Sequence, residues 1–114
     1  MTNPRKTTLN PEAVAAPLKQ YYSNAVRSEA GPLLWISGQV SLNAKGELVG
    51  EGDLRAQAVQ VLENIKGILA DSSACMDDIV KVTVYVTDIA AFNSITDILV
   101  SSGIVYLVLK CNEI

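Results

Sequence analysis

The stretch Asp78-Ile79-Val80-Lys81-Val82-Thr83-Val84-Tyr85-Val86-Thr87 decides the fold class. Its side chains alternate without a break: Val80, Val82, Val84 and Val86 fall on one face, and Lys81, Thr83, Tyr85 and Thr87 on the other. A period of two is the signature of a strand with one buried face. The valine face needs an apolar partner. The polar-tipped face is left for water, an interface or a cleft.

The partner stands just upstream. Asp53 suits an N-cap, and Ala58, Leu62, Ile65 and Leu69 recur at spacings of four, three and four. That spacing predicts a helix over residues 54–70, ended by Asp71-Ser72-Ser73. Downstream, Asp88 begins a second helix with Ile89, Phe92, Ile95 and Leu99 as its apolar stripe, closed by Ser101-Ser102-Gly103. Residues 104–109 form a continuous apolar run that reads as a buried strand or a short helix.

Toward the N-terminus, residues 21–27 and Leu33-Leu34-Trp35-Ile36-Ser37 read as two strands. The turn residues Ser28-Glu29-Ala30-Gly31-Pro32 would join them in a hairpin. Gly38 marks a bulge or a close backbone approach. Asn43-Ala44-Lys45-Gly46-Glu47 reads as a tight turn, Gly50-Glu51-Gly52 as a loop, and residues 1–10 as a mobile arm or a short strand. The order strand, strand, helix, strand, helix, strand is an α+β layout with two helices on one face of a mixed sheet. The 114 residues suit a single domain, 1–114.

Composition excludes several function classes. There is no histidine, which removes the commonest general base, the commonest metal ligand and any Ser/His or Cys/His pair. Two cysteines, Cys75 and Cys111, without a Cys-x-x-Cys spacing offer neither a disulfide framework nor a zinc site, and their number fits a reducing compartment. A net charge of −3 argues against a dedicated nucleic-acid binder. No stretch approaches the roughly 18–20 apolar residues that span a bilayer, so no membrane partner is expected. Arg5 and Lys6 without an acidic neighbour faintly resemble a mitochondrial presequence but lack an amphipathic helix. A cytoplasmic location is expected, with the mitochondrial matrix as the alternative.

Several of these stretches, in this order, resemble the Rid family (YjgF, endoribonuclease L-PSP) over residues 15–95. They are Ala16-Pro17, Tyr22-Ser23-Asn24-Ala25-Val26, Leu33-Leu34-Trp35-Ile36-Ser37-Gly38-Gln39, Gly46-Glu47-Leu48-Val49 and Gly52-Asp53. Ala56-Gln57, Gln60-Val61-Leu62-Glu63-Asn64-Ile65-Lys66, Ile68-Leu69, the strand 78–88 and Phe92 continue the match. Any one of these is weak; their order and spacing together make the likeness specific.

The resemblance implies a chorismate-mutase-like (YjgF-like) fold assembled as a homotrimer, with sites in the clefts between subunits. It implies a deaminase that hydrolyses 2-imino or enamine acids to 2-keto acids and ammonia with no cofactor. A mixed trimer with a paralogue, or a non-catalytic small-molecule-binding subunit, is the alternative. The ribonuclease of the family's older name is a further one, weakened by the absence of histidine.

Residue by residue, Tyr22 matches the tyrosine that reaches the cleft, or else packs an interface. Gly38 matches the glycine whose backbone approaches substrate, with Ser37 beside it as a ligand contact or strand filler. Trp35 reads as core or interface. The family's Pro-Ala-Arg segment, whose arginine grips the substrate carboxylate, has no counterpart: no arginine follows Arg55 and no proline follows Pro32. The cleft asparagine of the second helix falls on Thr96. From residue 96 to 114 the tail diverges, and two alignments stand open. Residues 104–114 are the final strand after a deletion, or Leu109-Lys110-Cys111-Asn112-Glu113-Ile114 imitates the family's Arg-Ser-Cys-Val-Glu-Val strand. In the second, Lys110 is the candidate carboxylate holder, Cys111 lines the cleft and Glu113 orients water. Arg55, in the first turn of the helix, is expected to be solvated, and Cys75 to be structural.

Overall fold

The computed structural model describes residues 5–18, 22–101 and, as backbone, 107–111. Its elements run β1 (Lys6–Leu9), β2 (Ala25–Ser28), α1 (Leu54–Asp71), a 3-10 turn (Met76–Asp78), β3 (Val82–Val86), α2 (Ile89–Phe92), α3 (Thr96–Ser101) and β4 (Leu107–Cys111). The α+β class holds.

The decisive strand and helix pack as their periodicities require. Val82 and Val84 are half-buried and Val86 is buried, while Lys81, Thr83, Tyr85 and Thr87 are exposed. Val80, expected on the buried face, lies before β3 begins and is exposed. Leu62 and Leu69 are the buried residues of α1, with Ala58 half-buried above them. Leu62, Val86, Phe92, Ile95 and Leu99 form the core, with Phe92 only 1% exposed. At the N-terminus of α1 the Asp53 carboxylate accepts from the Ala56 N–H at 3.1 Å, satisfying one of the donors a helix start leaves open. At its C-terminus Ser72 and Ala74 donate to the Leu69 carbonyl at 3.0 and 2.8 Å. Ser73 adopts a φ of 58° to turn the chain away.

The second helix forms in two short pieces where one was expected. The Ser94 hydroxyl donates to the Ala91 carbonyl at 2.6 Å, and the Ser94, Ile95 and Ile98 N–H groups donate three residues back. Serine and asparagine offer the backbone such local alternatives to helical bonding. The expected stripe survives the break: Phe92, Ile95 and Leu99 are buried, and only Ile89 turns outward. Asp88 caps α2 from its carboxylate to the Ala90 and Ala91 N–H groups at 3.0 and 3.3 Å.

The strands pair, among the described residues, as two ladders of two. β3 and β4 are parallel, with Val84 opposite Leu109, Tyr85 opposite Lys110 and Val86 opposite Cys111. The crossover between them carries α2 and α3, as parallel strands require. β1 and β2 are antiparallel, with Thr7 opposite Arg27. Of the expected alternatives for residues 1–10, residues 1–4 lie outside the described residues and the described part forms the short strand. Its Lys6 Nζ donates to the Ile79 carbonyl at 3.0 Å, and Arg5 pairs with Asp78, which ties β1 to the segment entering β3.

The expected hairpin between residues 21–27 and 33–37 does not form. β2 is shorter, takes its partner from β1, and leaves residues 33–37 outside any strand among the described residues. Trp35 is 85% exposed, so it is not a core residue. Gly38 is no bulge, because there is no ladder for it to interrupt, and a Cβ built there meets nothing within 4 Å. The tight turn at residues 43–47 does form. Gly46, at φ 77°, donates to the Asn43 carbonyl at 2.9 Å, and Leu42 bridges Leu48. Of the apolar run 104–109, residues 104–106 lie outside the described residues, and the remainder opens β4.

Candidate functional site

The candidate residues sit on four parts of the chain. Tyr22 is half-buried, and its hydroxyl accepts from the Leu18 N–H at 2.8 Å, so the phenol oxygen is spent in part on holding its own loop. Beside it Asn24 pins the same loop: its N–H donates to Asn10 Oδ1 at 2.9 Å and its Nδ2 to the Ala15 carbonyl at 3.0 Å. Buried Ser23 lies between them in sequence.

Ser37 and Gly38 belong to the extended segment before the tight turn. Ser37 is exposed, and its carbonyl accepts from Gln39 Nε2 at 3.3 Å. Gly38 lines an open groove of about 770 Å³ between this segment and the C-terminal half of α1, with Leu34, Val40, Leu42 and Ile68 among its walls. Asn64 of α1 closes one side by donating from Nδ2 to the Val40 and Leu42 carbonyls at 3.2 and 2.9 Å. The groove brings Gly38 to α1, and its described lining includes neither Tyr22, Ser37 nor Thr96.

Thr96 opens α3, half-buried, with its hydroxyl donating to the Asn93 carbonyl at 3.3 Å. Lys110 and Cys111 close β4, in register with Tyr85 and Val86. Tyr85 is exposed on the polar-tipped face of β3, so the Lys110 backbone runs alongside the one aromatic side chain of that face. Glu113 lies outside the described residues. Cys75 is a free, exposed thiol whose backbone N–H donates to Asp78 Oδ2 at 2.9 Å at the head of the 3-10 turn. Among the described residues no group of acidic and cysteine side chains is arranged to hold a metal ion. No helix there is long and apolar enough to cross a membrane.

One constellation escaped the sequence reading. Arg55 does not simply dangle in water: its Nη1 and Nη2 donate to Asp97 Oδ1 and Oδ2 at 3.1 and 2.6 Å, and Nη1 also reaches the Ser94 carbonyl at 3.3 Å. The hydrogen bond from Arg55 holds the Asp97 carboxyl below its ordinary range, and the same bond and charge raise the guanidinium further above its own. No local pattern could reveal a pair separated by 42 residues.

Residues 12–102 match a family model described as endoribonuclease L-PSP. A RutC family protein of Pyrococcus horikoshii is 42% identical over 78 residues, which are 68% of this chain and 60% of that protein. The 2-iminobutanoate/2-iminopropanoate deaminase of Dermatophagoides farinae is 32% identical over 78 residues, 68% of this chain and 59% of that one. The chain thus spans about 60% of the length of these curated relatives. Among solved structures, YyfB of Yersinia pestis, a conserved Rid family protein of unknown function, superposes with a TM-score of 0.85 at 31% identity. That superposition covers 96% of this chain and 87% of the other.

Proposed function

The chain belongs to the endoribonuclease L-PSP (Rid) family, and from that membership we propose that it hydrolyses reactive 2-imino acids to 2-keto acids and ammonia. The observation carrying this reading is the 78-residue match to a relative named as a 2-iminobutanoate/2-iminopropanoate deaminase. The chemistry asks little of the protein. Water adds to the carbon of a protonated C=N bond, and the carbinolamine collapses to the keto acid as nitrogen leaves with the electron pair of its bond to carbon. The protein has to orient the imine, neutralise its carboxylate and place the water.

In this proposal Tyr22, Ser37, Gly38, Thr96 and Cys111 line the substrate cleft, which is completed by neighbouring subunits of a trimer. Lys110 takes the carboxylate in place of the missing family arginine, and Glu113 orients water. A lysine offers a point charge and not a planar fork, so a weaker hold on substrate follows. The test is a coupled assay in which an amino-acid oxidase generates 2-iminobutanoate and keto-acid release is timed with and without the protein. Acceleration that disappears in Lys110→Met supports the reading. An intact assembly that leaves the uncatalysed rate unchanged refutes it.

A second reading has its own observation. Arg55, the last arginine of these 114 residues, has its fork filled by Asp97, so its guanidinium is already engaged and not offered to a substrate carboxylate. That favours a binding subunit that assembles with a complete relative. Co-expression with such a relative followed by native mass measurement gives mixed trimers on this reading, and homo-oligomers alone would exclude it.

A further inference from the structure

Thr96 sits in a short connection with two differently held sides. On the inner side Ile95 is buried in the core beside Phe92 and Leu99. On the outer side Ser94 and Asp97 are exposed, and both are gripped by one guanidinium from α1. Arg55 can do this because α1 is eighteen residues long, capped at Asp53 and packed through Leu62 and Leu69. The first turn of α1 is therefore a fixed post. The break between α2 and α3, by contrast, is built of short three-residue turns and of hydroxyl bonds from Ser94 and Thr96 to the carbonyls three residues back.

An exposed ion pair contributes little to global stability, since water screens it and ordering two side chains costs entropy. This one is nonetheless bidentate, with the carbonyl of Ser94 as third acceptor. Three acceptors on one planar fork fix direction as well as distance. What the fork holds is the start of α3, at Asp97, one residue beyond Thr96.

We propose that Arg55 is a positioning residue for the substrate site: by clasping Asp97 and the Ser94 carbonyl it sets the start of α3, and Thr96 with it. The proposal rests on the imine-hydrolysing reading. Thr96 serves binding on this reading and takes no part in bond making. A loosened clasp is therefore expected to weaken ground state and transition state alike, raising KM about tenfold with kcat held within about twofold.

Four full-length proteins decide it: wild type, Arg55→Lys, Asp97→Asn and the charge swap Arg55→Asp/Asp97→Arg. Keto-acid release from 2-iminobutanoate is measured across substrate concentrations, alongside urea midpoints. The expected pattern is a raised KM in both single variants, recovery in the swap and urea midpoints close together. An active wild type with single variants of unchanged KM overturns the proposal and leaves the function intact. Single variants whose KM rises only in step with a fallen urea midpoint reduce the clasp to a structural tie and also overturn it. A wild type without activity overturns the functional reading and the proposal with it.

Discussion

Arg55 and Asp97 meet in a two-pronged hydrogen-bonded pair, at 3.1 and 2.6 Å, that links the first turns of α1 and α3 on the outside of the core. Both side chains are more than half exposed, 56% and 63%. Their effect on overall stability is therefore small, and its dependence on pH is the more telling property.

The Asp97 carboxyl lies below its ordinary value of 3.8, chiefly through the Arg55 hydrogen bond. A depressed folded-state pKa stabilises above the unfolded value, and that contribution fades as pH falls through the folded one. Asp97→Asn should therefore lower the urea midpoint slightly at pH 7 and leave it level with wild type in acid strong enough to protonate the carboxyl in the folded chain. Urea titrations at the two pH values check this. A gap that persists or widens in acid would contradict it.

Phe92 is the most buried residue of the core, and Phe92→Ala removes the ring against which β3 and α1 close. A loss of about 3–5 kcal/mol is expected from transfer and cavity together. The smaller Val86→Ala truncation should cost roughly half of that. Denaturant unfolding of the two variants supplies the ratio.

Gly50 and Gly46 both adopt positive φ, at 75° and 77°, yet they are not equivalent. A Cβ on Gly46 meets open space, whereas one on Gly50 would lie 2.7 Å from Ala56 Cβ and 3.1 Å from the Gln57 nitrogen. Gly46→Ala should cost about 1–2 kcal/mol for the left-handed backbone alone. Gly50→Ala must in addition push away the first turn of α1, and is expected to destabilise clearly more. Equal midpoints for the two would show that the loop simply shifts.

Trp35 is the chain's single tryptophan. It stands 85% exposed with Leu33 and Leu34 exposed beside it. An assembly that covers this segment will move its fluorescence to shorter wavelength as concentration rises, in step with the mass in sedimentation. Trp35→Glu should abolish both changes. Association without any spectral shift would place the interface elsewhere.

The sequence was most legible where one element could bury its own periodic face. The α1 stripe and the alternating valines of β3 needed only each other, and both lie where their spacing puts them. The hairpin at residues 21–37 was misjudged for a related reason. An apolar run such as Leu33-Leu34-Trp35-Ile36 specifies burial but not a partner, and β2 paired with the N-terminal strand instead. The split between α2 and α3 was written in Ser94 and Thr96, whose hydroxyls bond backbone carbonyls three residues back, but the stripe through Phe92, Ile95 and Leu99 outweighed that signal. For the site, likeness to the family names candidates as far as Thr96. The Arg55–Asp97 pair could not, since it depends on how the crossover folds back over α1.

Among the described residues the buried apolar side chains have an uneven distribution: Leu62, Leu69, Val86, Phe92, Ile95 and Leu99 all come from α1 onward. Residues 5–50 contribute buried polar groups, Ser23 and Ser41, and are held to the rest by directional links such as Lys6 to Ile79 and Asn64 to Val40 and Leu42. Such links carry little of the heat-capacity change and denaturant sensitivity that apolar burial confers. The two halves should therefore have separate opening free energies. Amides of β1 and β2 will exchange with solvent through a local event nearly insensitive to urea, while those of α1 and β3 wait for the whole core to come apart. Limited proteolysis under native conditions would then trim the chain from its N-terminal half and spare a fragment beginning near α1.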